Sequence, residues 1–374
     1  MSRSPRIAIV TSSLALGGSE VQVVMLSRGL KSAGWEVVVV ALQPGPLAAD
    51  LHADKIRVID LPMGRLTTPS TWLKLRRALN DLAPDIVHTQ AFRANLWGRL
   101  AGLAPQRNVV ASVRATYTYL PSAYYPVERL LSRWTAAIVT PSQATADHLA
   151  KSVKIRKKLI SVIPNAVDTT LFMPNGTEKS LRREWGDGSF VVLAPGRLVA
   201  QKNHRAIINA FQLVAEKHPD AVLVIAGTGP LEGALRRQAS HLQYRVVFTG
   251  ELSRGQMVRA MGAADTACLA SRFEGMPNVL LEAMASAKPV VASAVDGVQE
   301  IVEDGKTGFL TPPGDDFALA EALVRLAGDP SLRAGMGAAG RQRMMARHSP
   351  GLNVQRHMSV YEEILQRQPE VSIR

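Results

Sequence analysis

Glu274 and Glu282 stand with seven residues between them in EGMPNVLLEAMA, on either side of a Gly275-Met276-Pro277 turn. A carboxylate accepts hydrogen bonds from hydroxyls in pairs, and sugars and riboses offer vicinal hydroxyls. Pro277 has no backbone donor and suits the first turn of a helix, so Glu274 falls on the loop and Glu282 about one turn into the helix. One glutamate per ring, with the helix N-terminus aimed at an anion between them, fits a nucleotide sugar. The plainer reading is two helix-end carboxylates favoured by the helix dipole.

Cations that would complete such a site occur upstream. APGRLVAQKNHRAIINAF sets Arg197 just past an apolar run and Lys202 five residues on, shortly before a helix. A guanidinium fork and an ammonium point charge can converge on a diphosphate, although any single basic residue here also fits a solvated loop. Gly227 and Gly229 in GTGP follow the next apolar run and permit close ligand approach. Near the N-terminus, Gly17 and Gly18 precede Ser19, a good N-cap, in LALGGSEVQVVML. Their amides and the helix dipole suit a phosphate, and a bare strand-to-helix turn explains them equally.

These residues all follow short apolar runs, and the runs fix the architecture. RIAIVTSS, EVVVVAL, IRVIDL, DIVHTQ, NVVASVR, AAIVTPS and LISVIP alternate mostly with amphipathic stretches, and FVVLAPG, AVLVIAG, RVVFTG, DTACLAS and KPVVAS restart the rhythm. Such alternation predicts an α/β chain of parallel strands with crossover helices, whose ligands bind beyond the carboxyl ends of the strands. Two doubly wound domains follow. The first covers 1–165 together with a returning helix in 352–374, the second covers 166–351, and PNAVDTTLFMPNGTE links them. A length of 374 residues, 47% hydrophobic and 20% charged, suits two filled cores and excludes general disorder.

The net charge of +13 is unevenly placed, since residues 1–165 hold 21 Lys and Arg against 9 Asp and Glu while the remainder is nearly balanced. One cationic half is expected to face an anionic surface or acceptor. Tyr117, Tyr119, Tyr124 and Tyr125 cluster in RATYTYLPSAYYPVERLLSRW, flanked by TWLKLRR and KSVKIRKK, a composition suited to docking on an anionic membrane. The alternative is that the tyrosines line the acceptor side or pack in the core. With no apolar run of 18 residues and an N-terminal run broken at Thr11, the chain is expected in the cytoplasm, peripheral on the membrane's inner face. No basic segment carries the aromatic interleaving of a nucleic-acid module, so no nucleic acid is expected as partner. One cysteine, Cys268, and eight scattered histidines offer no metal-ligand spacing, and no Asp-x-Asp occurs, so neither a metal nor any cofactor beyond a nucleotide-sugar co-substrate is expected.

Taken together, GGSE, PDIVHTQ, PNAVD, GRLVAQKN, GTGP, EGMPNVLLEAMASAKPVV and GVQEIVEDGKTGFL resemble the family 4 retaining glycosyltransferases. The resemblance runs through most of the chain and is weakest from about 45 to 80. It implies the GT-B fold, two Rossmann-like domains facing across a cleft with the C-terminal helix crossing back to the first. It also implies retaining, metal-independent transfer of a sugar from a nucleotide-sugar donor to a glycan or lipid-linked acceptor of the cell envelope. By resemblance, Glu282 holds the donor ribose. Glu274 and the backbone of Gly275, Met276, Pro277 and Asn278 face the transferred sugar, and Arg197 and Lys202 neutralise the leaving diphosphate. Gly17 and Gly18 approach the donor phosphate or the acceptor, Glu20 and Arg114 lie on the acceptor side, and His88 orients a sugar hydroxyl. Ala166 replaces the usual glycine of PNGVD, and Asp296-Gly297 replaces a common Gly-Gly, which puts local detail there in doubt. The alternatives are a nucleotide-sugar 2-epimerase of the same fold, which would lack the glutamate pair, and a basic nucleic-acid-binding protein.

Overall fold

The computed structural model describes residues 3–63, 69–102, 108–115, 124–174, 178–185 and 190–367. Tyr117 and Tyr119 lie outside these residues. The chain divides into two compact units, one running to Ala166 and resuming at Pro350, the other spanning Val167–Ser349. The sequence placed these divisions at 165/166 and 351/352.

In the first unit the described strands are β1 (Arg6–Thr11), β2 (Glu36–Ala41), β3 (Arg57–Asp60), β4 (Ile86–Gln90), β5 (Asn108–Ser112), β6 (Ala137–Thr140) and β7 (Ile160–Val162). They pair in parallel in the order β3-β2-β1-β4-β5-β6-β7. Helices cover both faces, which is why the central strands are apolar without alternation. Leu75 and Leu79 of the helix Pro69–Leu82 and Ala94 and Ala101 of Phe92–Gly102 bury one face. Val23, Val24, Leu26 and Leu30 of Gly18–Ser32 cover the other, together with Val354, Tyr361 and Ile364 of the C-terminal helix Pro350–Gln366.

That last helix is bound by polar contacts as well as by packing. Its Tyr361 hydroxyl lies 2.5 Å from His88 Nδ1, and the Ser112 hydroxyl lies 2.7 Å from His88 Nε2, all three side chains being buried. Asn353 donates to the Pro164 carbonyl at 2.6 Å. Gln22 brackets Ala166, donating to its carbonyl at 2.7 Å and accepting from its amide at 3.0 Å. At the alanine that replaces the usual glycine, the backbone is therefore fully satisfied within the first unit.

The second unit holds β8 (Phe190–Pro195), β9 (Ala221–Ala226), β10 (Val246–Gly250), β11 (Thr266–Leu269), β12 (Val290–Ser293) and β13 (Gly308–Thr311), parallel in the order β10-β9-β8-β11-β12-β13. The sequence reading lacked β13, a four-residue strand that pairs, among the described residues, with β12 alone. Cys268 is buried in β11, where burial drives its thiol pKa far up, as suits a structural side chain. Asp168 accepts from the Thr170 and Leu171 amides, and Arg341 donates to the carbonyls of Thr169 and Phe172, so the stretch after Val167 is pinned inside this unit.

In each sheet the strand order reverses at one place, between β1 and β4 and between β8 and β11. Loops leaving such a pair diverge to opposite faces and open a crevice at the carboxyl ends, which is where the sequence motifs fall.

Tyr361→Phe strands a buried His88 nitrogen without its partner. Such an orphan costs about 1–3 kcal/mol. A urea midpoint lowered accordingly, with turnover per folded molecule unchanged, is the expected outcome, and an unshifted midpoint contradicts it.

Candidate functional site

The second unit's switch point is built from two loops. One joins β8 to the helix His204–Lys217 and carries Gly196, Arg197 and Lys202; the other joins β11 to the helix Asn278–Ala285 and carries Ser271, Glu274 and Gly275. They are laced together: the Arg272 amide donates to the Gln201 carbonyl at 2.9 Å, and Gln201 Nε2 to the Phe273 carbonyl at 3.0 Å. Lys202 Nζ and the Ser271 hydroxyl both donate to Glu274 Oε1, at 2.5 and 2.7 Å. The Lys202 and Glu274 side chains are only 16% and 8% exposed, so this ion pair sits in partial shelter from water. Removing either partner strands the other charge, which is costlier than losing an exposed pair. Arg197 is exposed on the same loop.

Gly227 and Gly229 serve differently from the expectation. A Cβ at Gly227 would lie 2.1 Å from the Gly196 carbonyl oxygen, and one at Gly229 would lie 2.5 Å from that of Leu198. The Leu198 amide donates to Thr228 O at 2.9 Å, and the Leu231 amide to Leu198 O at 3.1 Å. The close approach these glycines permit here is backbone to backbone: they seat the Arg197 loop.

Pro277 is the N-cap and Asn278 the first helical residue, with Glu274 on the loop and Glu282 fifth in the helix. The Met276 side chain packs with Leu280 and Leu281 in the core. Burial pushes the Glu282 carboxyl up to about 7, opposed by the positive charge of Arg254. The Glu274 amide donates to Asp296 Oδ2 at 3.3 Å.

In the first unit, Gly17 is the N-cap of the helix Gly18–Ser32, and Ser19 lies inside it instead of capping it. A Cβ on Gly17 would meet the Glu20 carboxylate at 2.3 Å, so glycine lets Glu20 lie back over the helix start, where it accepts from Ser13 Oγ at 2.7 Å. Arg114, just past β5, donates to the Asn165 side-chain carbonyl; burial pulls its pKa down to about 10, and the Glu20 charge opposes the shift. Glu20 and Arg114 thus share one electrostatic neighbourhood.

His88 departs from the expectation that it orients a sugar hydroxyl. It lies within β4 rather than at its end, is wholly buried, and has both ring nitrogens engaged by Tyr361 and Ser112. Burial, then the charges of His357 and Arg114, hold its pKa well below the usual value. A neutral ring enclosed by protein partners is a framework residue. The last residue of β4 is Gln90, which donates to the Ser19 carbonyl at 2.5 Å and sets the helix start.

Sequence reasoning passed over Ser271 and Arg254, and noted Asp296 only as a departure from the usual Gly-Gly. Ser271 stands two residues past a strand end and three before a site glutamate, a signal it could have used. Nothing in the spacing of Arg254 marks it.

Two family models match the chain, Glycosyltransferase Family 4 over residues 16–171 and Glycosyl transferases group 1 over residues 177–343. Both describe transferases rather than epimerases. The chain is similar to 2-deoxystreptamine N-acetyl-D-glucosaminyltransferase of Streptomyces fradiae, 30% identical across 84% of this chain and 82% of that protein. It is also similar to the GDP-mannose-dependent monoacylated alpha-(1-6)-phosphatidylinositol monomannoside mannosyltransferase of Corynebacterium glutamicum, 35% identical over 50% of this chain and about half, 52%, of that relative. Among solved structures, Anabaena HepE in complex with UDP and glucose superposes with a TM-score of 0.87 at 23% identity, covering 96% of this chain and all, 100%, of that one, which shows the GT-B fold. With that fold, the laced switch-point loops and the two matching models, the chain belongs to the group 1 glycosyltransferases of family 4.

Proposed function

We propose that the chain transfers a hexosyl group from a nucleoside-diphosphate sugar to a glycan or lipid-linked acceptor of the cell envelope, with retention at the anomeric carbon and without a metal ion. The observation that carries this reading is the convergence of Lys202, Ser271 and Glu274 at the switch point, with Arg197 on the same loop and Glu282 on the helix that follows. As the bond from the anomeric carbon to the diphosphate oxygen breaks, negative charge grows on the leaving group, and Arg197 and Lys202 supply the positive charge that meets it. An ammonium has three donors, so Lys202 can turn towards a diphosphate while Glu274 holds the lysine in place. Glu274 and the adjoining backbone would take sugar hydroxyls, and Glu282 the ribose diol. Retention follows from displacement on the face the diphosphate leaves, and no step uses His88.

Among the described residues no group of three or more His, Cys, Asp or Glu is arranged to hold a metal ion, and the cations just named do the work assigned to a metal elsewhere. The lipid-linked acceptor draws support from the Corynebacterium glutamicum relative, whose name gives GDP-mannose and a monoacylated phosphatidylinositol monomannoside.

A peripheral seat on the membrane draws support from the surface around the helix Tyr124–Leu131. Tyr124, Val127 and Leu130 are exposed on it, and Trp134, just beyond, is 51% exposed. Beside them a concavity of about 480 Å³ is lined by Tyr125, Arg129, Leu130, Arg133, Val153 and Lys154. Apolar side chains interleaved with cations fit an anionic interface, each cation there contributing ~1 kcal/mol. Among the described residues no helix is long and apolar enough to cross a membrane.

Lys202→Ala and Glu274→Ala, checked for folding, should each lower donor turnover about a hundredfold, or ~3 kcal/mol in the barrier. Chelator should leave the rate unchanged; near-normal turnover in both variants, or a strict need for a divalent ion, defeats the assignment.

Donor affinity should also depend on pH through Glu282. Only its ionised form accepts both ribose hydroxyls, and its carboxyl sits at about 7, so affinity for the nucleotide sugar should be level above that value. Below it, affinity should weaken about tenfold per pH unit. Glu282→Gln should abolish the break, and Arg254→Ala should move it to higher pH. Calorimetry across pH 5.5–8.5, a range of about three units, reads this directly; a flat wild-type profile contradicts it.

For the membrane face, flotation of the full chain with anionic vesicles should exceed that with neutral vesicles and should fall in Trp134→Ser and Arg133→Glu. Equal flotation with both kinds of vesicle removes the docking claim.

A further inference from the structure

The concavity beside the helix Tyr124–Leu131 holds more positive charge than its own surroundings neutralise. Arg129, Arg133 and Lys154 all open onto it. The three side chains are exposed, and among the described residues no ion pair or side-chain hydrogen bond engages them. Other exposed cations of this unit are met by a carboxylate: Arg3 by Asp85 at 2.6 Å, Arg28 by Asp54, and Lys151, only three positions before Lys154, by Asp147 at 2.6 Å.

The carboxylates within reach are already paired. The helix Tyr124–Leu131 holds one, Glu128, which turns inward to the buried Arg99 at 2.5 Å. The helix Gln143–Lys151 also holds one, Asp147, which accepts from Lys151 and Gln143. No carboxylate lines the concavity among the described residues. What negative charge remains comes from the carboxyl ends of these two helices, about half a unit each. Three cations set against about one unit leave an excess of about two positive charges around a space of about 480 Å³. Arg129 and Arg133 also stand four positions apart on consecutive helical turns, where like charges repel.

We infer that the concavity is a binding site for the headgroup of a lipid that carries two negative charges on phosphate, as a phosphomonoester or a diphosphate. This rests on the proposed membrane seat and narrows it from an anionic surface in general to one headgroup chemistry. A phosphomonoester carries about 1.5 to 2 negative charges at pH 7, which matches the excess, whereas a phosphodiester carries one and leaves a cation unmet. Two guanidinium forks, the Lys154 point charge and the Ser152 hydroxyl supply the donors that phosphate oxygens accept. The walls are apolar at Pro126, Leu130 and Val153, and Leu130 and Trp134 are 47% and 51% exposed at the rim. A soluble phosphate has no use for such a rim, while the chains of a lipid do.

The test floats the full chain with neutral vesicles carrying either phosphatidate, a phosphomonoester, or phosphatidylglycerol, a phosphodiester, matched in zeta potential. Wild type should bind the phosphatidate vesicles about tenfold more tightly, as further hydrogen bonds between charged groups would provide. Arg129→Gln and Lys154→Gly should each erase most of that preference through loss on phosphatidate. Lys154 holds φ at +65°, which glycine adopts at less cost, so Lys154→Gly removes the charge without straining the fold. Lys157→Gln, at an exposed cation outside the lining, should weaken both vesicle types equally and keep the preference. Free glycerol 3-phosphate, the same headgroup without its chains, should leave flotation unchanged; if it displaces the protein, the site is one for soluble phosphate and the lipid assignment falls. Equal binding to both anionic vesicles, a preference that survives both concavity variants, or one lost just as much in Lys157→Gln, overturns the inference and leaves the general electrostatic seat standing. Binding to neither anionic vesicle overturns the seat and the inference together.

Discussion

The second unit depends on one ion pair made across the reversal of its strand order. β8 and β11 are neighbours in the sheet but distant in the chain, and the loops that leave them turn towards opposite faces. Nothing in either loop alone fixes its distance from the other. Lys202 and Glu274 supply that constraint at 2.5 Å, Ser271 locks the same carboxylate oxygen, and the backbone bonds between Gln201 and Arg272 keep the register. The pair also solves an electrostatic problem. A diphosphate site of the kind proposed needs an aimed cation, and a sheltered ammonium is held in one place by a carboxylate opposite it. Glu274 aims Lys202 until a phosphate competes for it.

The first unit answers a different demand with neutral groups. Its corresponding reversal, between β1 and β4, is filled behind the strand ends by His88, Ser112 and Tyr361. Burial favours the uncharged forms, lowering the histidine pKa and raising that of the tyrosine, so the network stays neutral while satisfying its polar atoms. It ties the C-terminal helix to the sheet with directional bonds that packing alone would not provide. The charged groups of this unit, Glu20 and Arg114, stand beside that network rather than within it, and their mutual field keeps the guanidinium ionised despite its burial.

Much of this was legible in the sequence because periodicity and punctuation act locally. The apolar runs gave the strands, and PNAVD gave the place where the units part. The spacing from Glu274 through Pro277 to Glu282 placed one carboxylate on a loop and one on a helix, as observed. What the sequence did not show shares a cause: each contact required knowing what lies opposite. Gly227 and Gly229 read as ligand glycines because a sequence shows a missing side chain but not the Gly196 and Leu198 carbonyls that occupy the space. His88 read as a strand-end residue because Tyr361, its partner, is 273 positions away. β13 escaped because an edge strand needs only one neighbour and four residues, too few to set a pattern.

The uneven charge of the chain gains a meaning once the site is located. Under the proposed function the second unit, nearly neutral overall, meets a diphosphate with Arg197 and Lys202 and hydroxyls with Glu274 and Glu282. A donor carrying two negative charges on its diphosphate then needs only local compensation, and excess charge elsewhere would slow product release by holding the anion. The first unit carries its excess on the surface, around Arg129, Arg133 and Lys154 beside exposed apolar side chains. Charge spread over a face acts over about a Debye length and concentrates a partner rather than fixing an atom. Under the proposed function the two units use the same residue types at different ranges, contact distance for the donor and long range for an anionic surface, and the asymmetry in the sequence matches that division.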